Sequence, residues 1–544
     1  MPGEMSKADQ ALILSSLEAC LYVIKDLQQT VQELKDEVNR LKGEQGKPTI
    51  SAKNQQEEEN GEDSSRSDQD ISSEAERKEK KGKGRKRGVK FDGSQQVTRE
   101  EVIKIEDKSD LPLDIEFKGY ATNHYQNLLI TSELIVVKQE IYYSPSQGKT
   151  YKAELPLEYE AGYDYTQELK GHILMLKFEM GLSIPKIGDF LRMNGINISN
   201  ATVSNTVLAG GAYFQAEKEA LHRSGMEVGL YTQTDTTGAR VNGENWHTHI
   251  MGNAYYSAYF TTPHKDRQTI LDILRGEAAR FYLLNEDTFE LYDYLKIPKK
   301  IQEKLETLSL ASIVDQDQFV AQLTSALSPK EYEKHGAKLL EGAYLAAYHY
   351  DDPLAVLVVD DAPQYKLLAL WIALCWVHAG RHFKKLNPIV KHHQAVLDDF
   401  LNEFWAYYRA LKSYQLHPDL PTAKILDQQF DQLFSRKTGY EQLDERIAKT
   451  KLKKKELLVV LKHPYVPLHN NASELDARKE VRYRDISFQT RNQKGTQAKD
   501  TMFTIIQTCK KLGVNAYAYV LDRITKRNRM TPLEKIMFNT AKAC

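Results

Sequence analysis

The sequence is short of cysteine, of long apolar runs and of net charge, and each shortage closes off a class of protein. Its four cysteines, Cys20, Cys375, Cys509 and Cys544, are widely separated. They form neither a disulfide framework nor a C-x-x-C pair, which suits a reducing compartment. No apolar run reaches the roughly 18 residues that a membrane span needs, and the N-terminus lacks a signal-peptide layout. A cytoplasmic protein with no membrane partner is expected. The formal charge is −1, from 74 Lys+Arg against 75 Asp+Glu, so no whole-chain excess points to nucleic acid. The distribution is less even. Between Arg436 and Arg529 stand 22 basic and 10 acidic residues, a surplus of 12 that leaves the remainder at −13. A chain polarised in this way has a binding face.

What is present is organised in blocks. Over residues 10–42 one apolar seam reads Leu17, Ile24, Val31 and Val38 and the other Cys20, Leu27, Leu34 and Leu41. These heptads predict a coiled-coil helix, and Ile or Val at the first position with Leu at the fourth favours a parallel homodimer. Residues 43–93 hold almost no large apolar side chains and cannot offset the entropy of ordering, so a disordered charged linker is expected. Its stretch KEKKGKGRKRGVK contains Lys86 and Arg87, candidates for tracking a phosphate backbone, with a merely solvated linker as the alternative. Residues 100–163 read as a small β-rich module, with strands in LLITSELIVVKQEIYYS and KTYKAELPLEY and a turn at SPSQGK. Residues 164–222 read as three helices, punctuated by Gly181 and Gly195 and with Ser199 capping the third. The short turn before a small, polar last helix matches helix-turn-helix proportions, with a plain helical bundle as the alternative.

Strands then return. MEVGLYTQTD, WHTHIMGN and AYYSAYFTT are short β-rich runs separated by turn residues such as Val241-Asn242-Gly243-Glu244, and Asp235 ends the first. LAVLVVDD is a continuous apolar run, as expected of a strand buried on both faces, with Asp360 at its C-terminal end. RQTILDILRGE reads as a crossover helix, residues 271–350 as a helical insertion and 531–544 as a C-terminal tail. Glu474 opens a basic helix in HNNASELDARKEVRYR. Each acid also has a purely structural explanation. Asp235 can cap a turn, and Asp360-Asp361 can cap the helix that follows. Glu474 can close a capping box or pair with Arg478, and Asn470 and Asn471 read as caps. Together the three are the kind of donor set with which hard cations hold phosphate oxygens. Arg478, Lys479, Arg482 and Arg484 form a basic cluster beside Glu474, suited to gripping phosphates.

In order along the chain, TDTTG, VVDDAPQY followed by LCWVHAGRHF, HNNASELDARKEVRYRDISF and TCKKLGVNAYAYV resemble the IS sixty-six family of bacterial insertion-sequence DDE transposases. The likeness runs from about Leu169 to Ile524. It implies an α/β RNase H-like catalytic domain over residues 226–270 and 351–530. It also implies that Asp235, Asp360 and Glu474 are the first, second and third ligands of two Mg²⁺ (or Mn²⁺) ions. Tyr365, five residues after the second acid, favours Asp360 over Asp361. Asp476 points to nearly the opposite side of the helix from Glu474. The implied function is binding of transposon ends, strand cleavage and strand transfer on double-stranded DNA, in the bacterial cytoplasm and nucleoid, with room for small accessory transposition proteins. An inactive or domesticated DNA-binding relative and an RNase H-like nuclease without strand transfer are the alternatives. Family members often carry a cysteine-rich zinc module ahead of the helical block. This chain has no cysteine between Cys20 and Cys375, so no structural zinc is expected there. Cys375 and His378 are only two ligands, too few for zinc; His378 and Arg381 are expected to contact DNA instead.

Overall fold

The computed structural model describes Val23 and Leu27, residues 97–105, 119–156, 159 and 165–543, apart from 277–278, 307, 309–311 and 352. The heptad helix and the charged linker, Lys86 and Arg87 included, lie outside these residues except for Val23 and Leu27, which are helical and exposed. Of the expected β module, the described residues hold one hairpin. In it β1 (Ile141–Ser144) pairs antiparallel with β2 (Lys149–Lys152), turning where SPSQGK predicts. Residues 121–140 are neither helix nor strand, contrary to the reading from their alternation. Leu128, Leu129, Leu134 and Val136 among them are exposed, so the alternation has no packed layer to bury one face against.

The helical block is α1 (Gln167–Phe178), α2 (Ile184–Met193) and α3 (Asn200–Tyr213), and α4 (Gln215–Val228) carries it past its expected end. Thr166 and Ser199 cap α1 and α3 by accepting from the N–H groups of Leu169 and Thr202, at 3.3 and 3.0 Å. Gly181 and Gly195 take up the positive φ that follows α1 and α2. Val203, Val207, Gly210 and Gly211 form the buried side of α3.

Next comes a meander of β3 (Thr232–Val241), β4 (Glu244–Gly252) and β5 (Ser257–Thr262). Its first turn places Asn242 and Gly243 both at positive φ, as a two-residue hairpin loop requires. The crossover helix α5 (Arg267–Arg275) is capped by Asp266 and closed by left-handed Gly276. A small pair, β6 (Phe281–Tyr282) with β7 (Val314–Asp315), and helices α6 (Glu286–Tyr294), α7 (Lys299–Leu305), α8 (Gln316–Ala326) and α9 (Pro329–Tyr350) fill the expected insertion. The chain then re-enters the sheet as β8 (Val356–Val359) and β9 (Trp371–Leu374). The sheet order is β5-β4-β3-β8-β9, with the first three strands antiparallel and the last three parallel. As its apolar run predicts, β8 is buried on both faces: Leu357 and Val359 enter one core, Val356 and Val358 another.

A second helical segment, which the sequence reading had merged into the sheet domain, follows β9: α10 (Trp376–Lys384), α11 (Lys391–Leu416), α12 (Leu420–Leu433), α13 (Glu441–Lys451) and the short α14 (Lys454–Leu457). It is organised around Trp376, whose ring contacts Phe404, Tyr407, Phe430 and Phe434. Its helical periodicity is plain, but its apolar residues match those of its surroundings, so composition marks no boundary. Then α15 (Asn471–Ser487) and α16 (Gln493–Lys511) return to the sheet, and α16 packs on β5 and α3. After α17 (Ala516–Ile524), α18 (Leu533–Ala543) replaces the expected tail, because Leu533 and Met537 are fully buried and the helix packs on α4. Among the described residues no helix is long and apolar enough to cross a membrane.

At the crossing of α3 and α16, a Cβ on Gly211 would collide with the backbone of Ala498. Gly211→Ala is expected to lose about 1–3 kcal/mol of stability, read as a fall in the urea midpoint. Ala209→Ser, on the exposed side of α3, should stay within about 0.5 kcal/mol. Equal midpoints for the two variants would refute the close approach.

Candidate active site

β3 and β8 pair at Thr232–Leu357 and Gln233–Val358. Two positions further along each segment stand Asp235 and Asp360, so the register brings them level at the C-terminal mouth of the parallel strands. Asp235 does not end its strand, as the run MEVGLYTQTD had suggested. Pairing with β4 continues to Val241–Glu244, so β3 runs on, and what stops short of Asp235 is its pairing with β8.

Burial pushes the Asp235 carboxyl up to about 6. The Thr236 N–H, donating to Oδ1 at 2.8 Å, opposes this, and the charges of Asp360 and Glu474 raise it further. All three predicted acids therefore share one electrostatic neighbourhood. Asp361 pairs instead with Lys453. Behind Asp235, the Thr236 hydroxyl hydrogen-bonds both the Tyr365 hydroxyl (2.8 Å) and His249 Nδ1 (3.1 Å). Burial lowers His249 to about 4, so it is neutral at physiological pH. Only the family resemblance marked Tyr365, and nothing in the sequence singled out His249.

Glu474 lies in the first turn of α15, yet it closes no capping box. Arg381 takes both of its oxygens, Nη1 to Oε1 at 2.9 Å and Nη2 to Oε2 at 2.8 Å, and His378 Nδ1 lies 3.7 Å from Oε1. Burial alone would raise this carboxyl; hydrogen bonds from His378 and Arg381, with their charges, outweigh it and bring it down to about 2. Asn470 occupies the N-cap position, but its side chain makes no cap hydrogen bond and donates from Nδ2 to the Thr234 carbonyl at 2.7 Å. The start of α15 is thereby tied to β3 one residue before Asp235.

Cys375 caps α10, its sulfur accepting from the N–H groups of His378 (3.4 Å) and Asn470 (3.3 Å). Burial pushes this thiol up to about 11. The sequence offered Cys375 and His378 as two ligands; the fold adds Glu474, and ligand-capable atoms of the three lie within 4.8 Å of one another. The predicted basic cluster divides. Arg478 and Arg482 are exposed. Lys479 instead donates to the Glu179 carbonyl and carboxylate at 2.7 and 3.1 Å, and Arg484 donates to the Gly238 carbonyl. Those two fasten α15 to α1 and β3, a use that charge patterning alone does not reveal. Asp476, set aside as a ligand, faces the protein interior and pairs with Lys511 at 3.1 Å.

A family model described as Transposase IS66 family matches residues 163–305 and 326–498, which include all three acids. The uncharacterized protein y4jO of Sinorhizobium fredii (strain NBRC 101917 / NGR234) is 34% identical over 304 residues, covering 55% of this chain and 94% of that relative. No solved structure matches the chain.

Because Asp235 is raised in the folded state, its ionised form destabilises the metal-free fold. That penalty is fully present above about pH 6 and disappears as pH falls toward the ordinary carboxylate value. Asp235→Asn is thus expected to gain on the order of 1–3 kcal/mol near pH 8 and almost nothing near pH 4. Thermal melts in chelator at both pH values provide the check, and a loss of stability near pH 8 would contradict the buried, repelled carboxylate.

Proposed function

Because the chain belongs to the IS66 transposase family, we propose that it is a DDE transposase that binds the ends of its element, cleaves there and joins the freed strand to target DNA. The carrying observation is that the β3–β8 register sets Asp235 level with Asp360, and that Asp360 and Glu474, at the start of α15, both act by charge on Asp235. Their place supports the reading, since the C-terminal mouth of parallel strands is where such sheets bind ligands. The sheet order supports an RNase H-like domain: a three-stranded antiparallel meander flanked by two parallel strands.

The donor set fits hard divalent cations. Asp360 and Glu474 both raise the Asp235 carboxyl by their charge, a repulsion that bound dications reverse. Asp235, Asp360 and Glu474 would hold two Mg²⁺ or Mn²⁺, which when bound supply positive charge for the entering and leaving oxygens of an in-line phosphodiester displacement. The chain's own residues do the positioning. The Thr236 N–H orients Asp235, and Arg381 with His378 keeps Glu474 anionic. Exposed Arg478 and Arg482 grip phosphates of the bound duplex. Water attacks the phosphodiester at the element's end and releases a 3′-hydroxyl. That hydroxyl then attacks a target phosphodiester, each attacking oxygen losing a proton and each leaving oxygen gaining one. No side-chain nucleophile is required, and the capped, protonated Cys375 thiol offers none. The heptad helix pairs two copies, so that two ends are handled together.

The test combines labelled end DNA, supercoiled target and Mg²⁺ on a gel. Joined products are expected from the native chain; nicks without joining would leave a nuclease, and binding without cutting an inactive relative. Asp235→Asn and Glu474→Gln should abolish cleavage and keep end binding. Loss of binding in both would show that the acids shape the fold rather than perform the chemistry.

A further inference from the structure

Two helices of the segment between β9 and α15 present basic residues beside the second acid. His378, Arg381, His382 and Lys385, on α10 and the residue that closes it, follow one another at spacings that share a helical face. Arg446, Lys449 and Lys453 are similarly spaced on α13 and just beyond it, and α10 packs on α13. Between the helices lies a cavity of about 30 Å³, lined among others by Asp361, Cys375, His382, Arg446, Lys449 and Lys453. A water needs roughly 10–15 Å³ of such space, so the cavity holds two waters, or the two non-bridging oxygens of a phosphate.

The lining sets the cations Arg446, Lys449 and Lys453 among Leu374, Ala379 and Leu457. Lys453 pairs with Asp361, and Lys449 with Glu445 at 2.5 Å. The Arg446 guanidinium is half-buried and, among the described residues, makes no hydrogen bond or ion pair. Its N–H donors are thus left for an incoming acceptor. Burial, then the charges of Arg446, His378 and Lys385, lower the affinity of His382 for a proton, a sign of positive potential at that wall. Asp361 follows Asp360 directly, so the cavity begins one residue from the second acid.

We infer that this notch binds a backbone phosphate of the DNA strand that lies across Asp235, Asp360 and Glu474. The inference rests on the transposase reading and adds to it a contact surface on α10 and α13, separate from the basic face of α15. Arg446 supplies the planar, bidentate grip and Lys453 a point charge. Asp361 holds Lys453 in place, which gives the second carboxylate of the Asp360-Asp361 pair its own task.

Fluorescence anisotropy with a labelled duplex of arbitrary sequence tests this, because phosphate contacts are independent of sequence. Arg446→Ala should weaken binding roughly tenfold and reduce the slope of log affinity against log salt by about 1. Arg446→Lys should restore most of the slope. Unchanged melting temperatures exclude misfolding, which the unpartnered side chain makes improbable in the first place. Native affinity and slope in Arg446→Ala overturn the notch alone, provided that the native chain binds the duplex. Failure of the native chain to bind duplex overturns both the notch and the transposase reading.

Discussion

The site depends on one short contact, the parallel pairing of β3 with β8 at Thr232–Leu357 and Gln233–Val358. Segments 125 positions apart are brought together there, which is a long loop to close, and the fully buried Val356–Val359 run supplies the driving force. Its brevity matters as much as its existence. Where β8 ends, β3 continues along β4, and its backbone on the vacated side needs other partners. Asn470 donates to the Thr234 carbonyl, and the Gln233 side chain donates to the His469 carbonyl at 3.2 Å. The entry to α15 thus takes the position that a longer β8 would have filled, and Glu474 is delivered to the two aspartates by the same backbone accounting that ends the strand pairing.

Three carboxylates gathered in a partly buried cleft repel one another, and the fold resolves this asymmetrically. Asp235 is backed by a hydrogen-bond chain through Thr236, Tyr365 and a neutral His249, with no cation among the described residues bonded to its carboxyl; burial and its neighbours raise it. Glu474 has Arg381 and His378 and is lowered. One acid is held anionic by the protein's own cation, while the other becomes fully anionic at neutral pH only against an opposing potential. Such a divergence between neighbouring acids marks functional sites more often than structural ion pairs.

Much of this was legible in the sequence, where local rules govern. The Asn242-Gly243 hairpin, the Ser199 cap, the Gly181 and Gly195 breaks, the crossover helix and the doubly buried β8 follow from residue type and spacing. Asp360 at the end of β8 followed from the apolar run. The misses occur where a tertiary partner decides. Asp235 was read as the end of the β-rich run MEVGLYTQTD, but pairing with β4 carries the strand on to Val241. Glu474 has the local signature of a capping box, and Arg381, 93 positions earlier, takes its carboxylate instead. Lys479 and Arg484 read as part of a phosphate-gripping cluster until Glu179 and the Gly238 carbonyl are seen to hold them. Tyr365 was marked by the family resemblance, but His249 and Asn470 become informative only when the sheet is assembled.

The orientation of α15 carries the last step, because a helix that merely began at Asn470 could still point Glu474 away from the cleft. Its other acids prevent this. Glu480 is buried against Lys499 at 2.7 Å, and Asp476 pairs with Lys511 and the Ser257 hydroxyl. Lys499 and Lys511 both lie on α16, the helix that packs on β5 and α3. Buried ion pairs add little net stability compared with apolar packing of the same volume. What they add here is a penalty for rotation, since turning α15 would pull the Asp476 and Glu480 carboxylates away from the lysines that meet them in a buried interface. On a helix, residues two and six positions after Glu474 point well away from it. Locking Asp476 and Glu480 inward therefore leaves Glu474 one direction to face, toward Asp235 and Asp360. The polar layer between α15 and α16 is thus the structural counterpart of the third acid, and the cleft's geometry is set from behind as much as from its own residues.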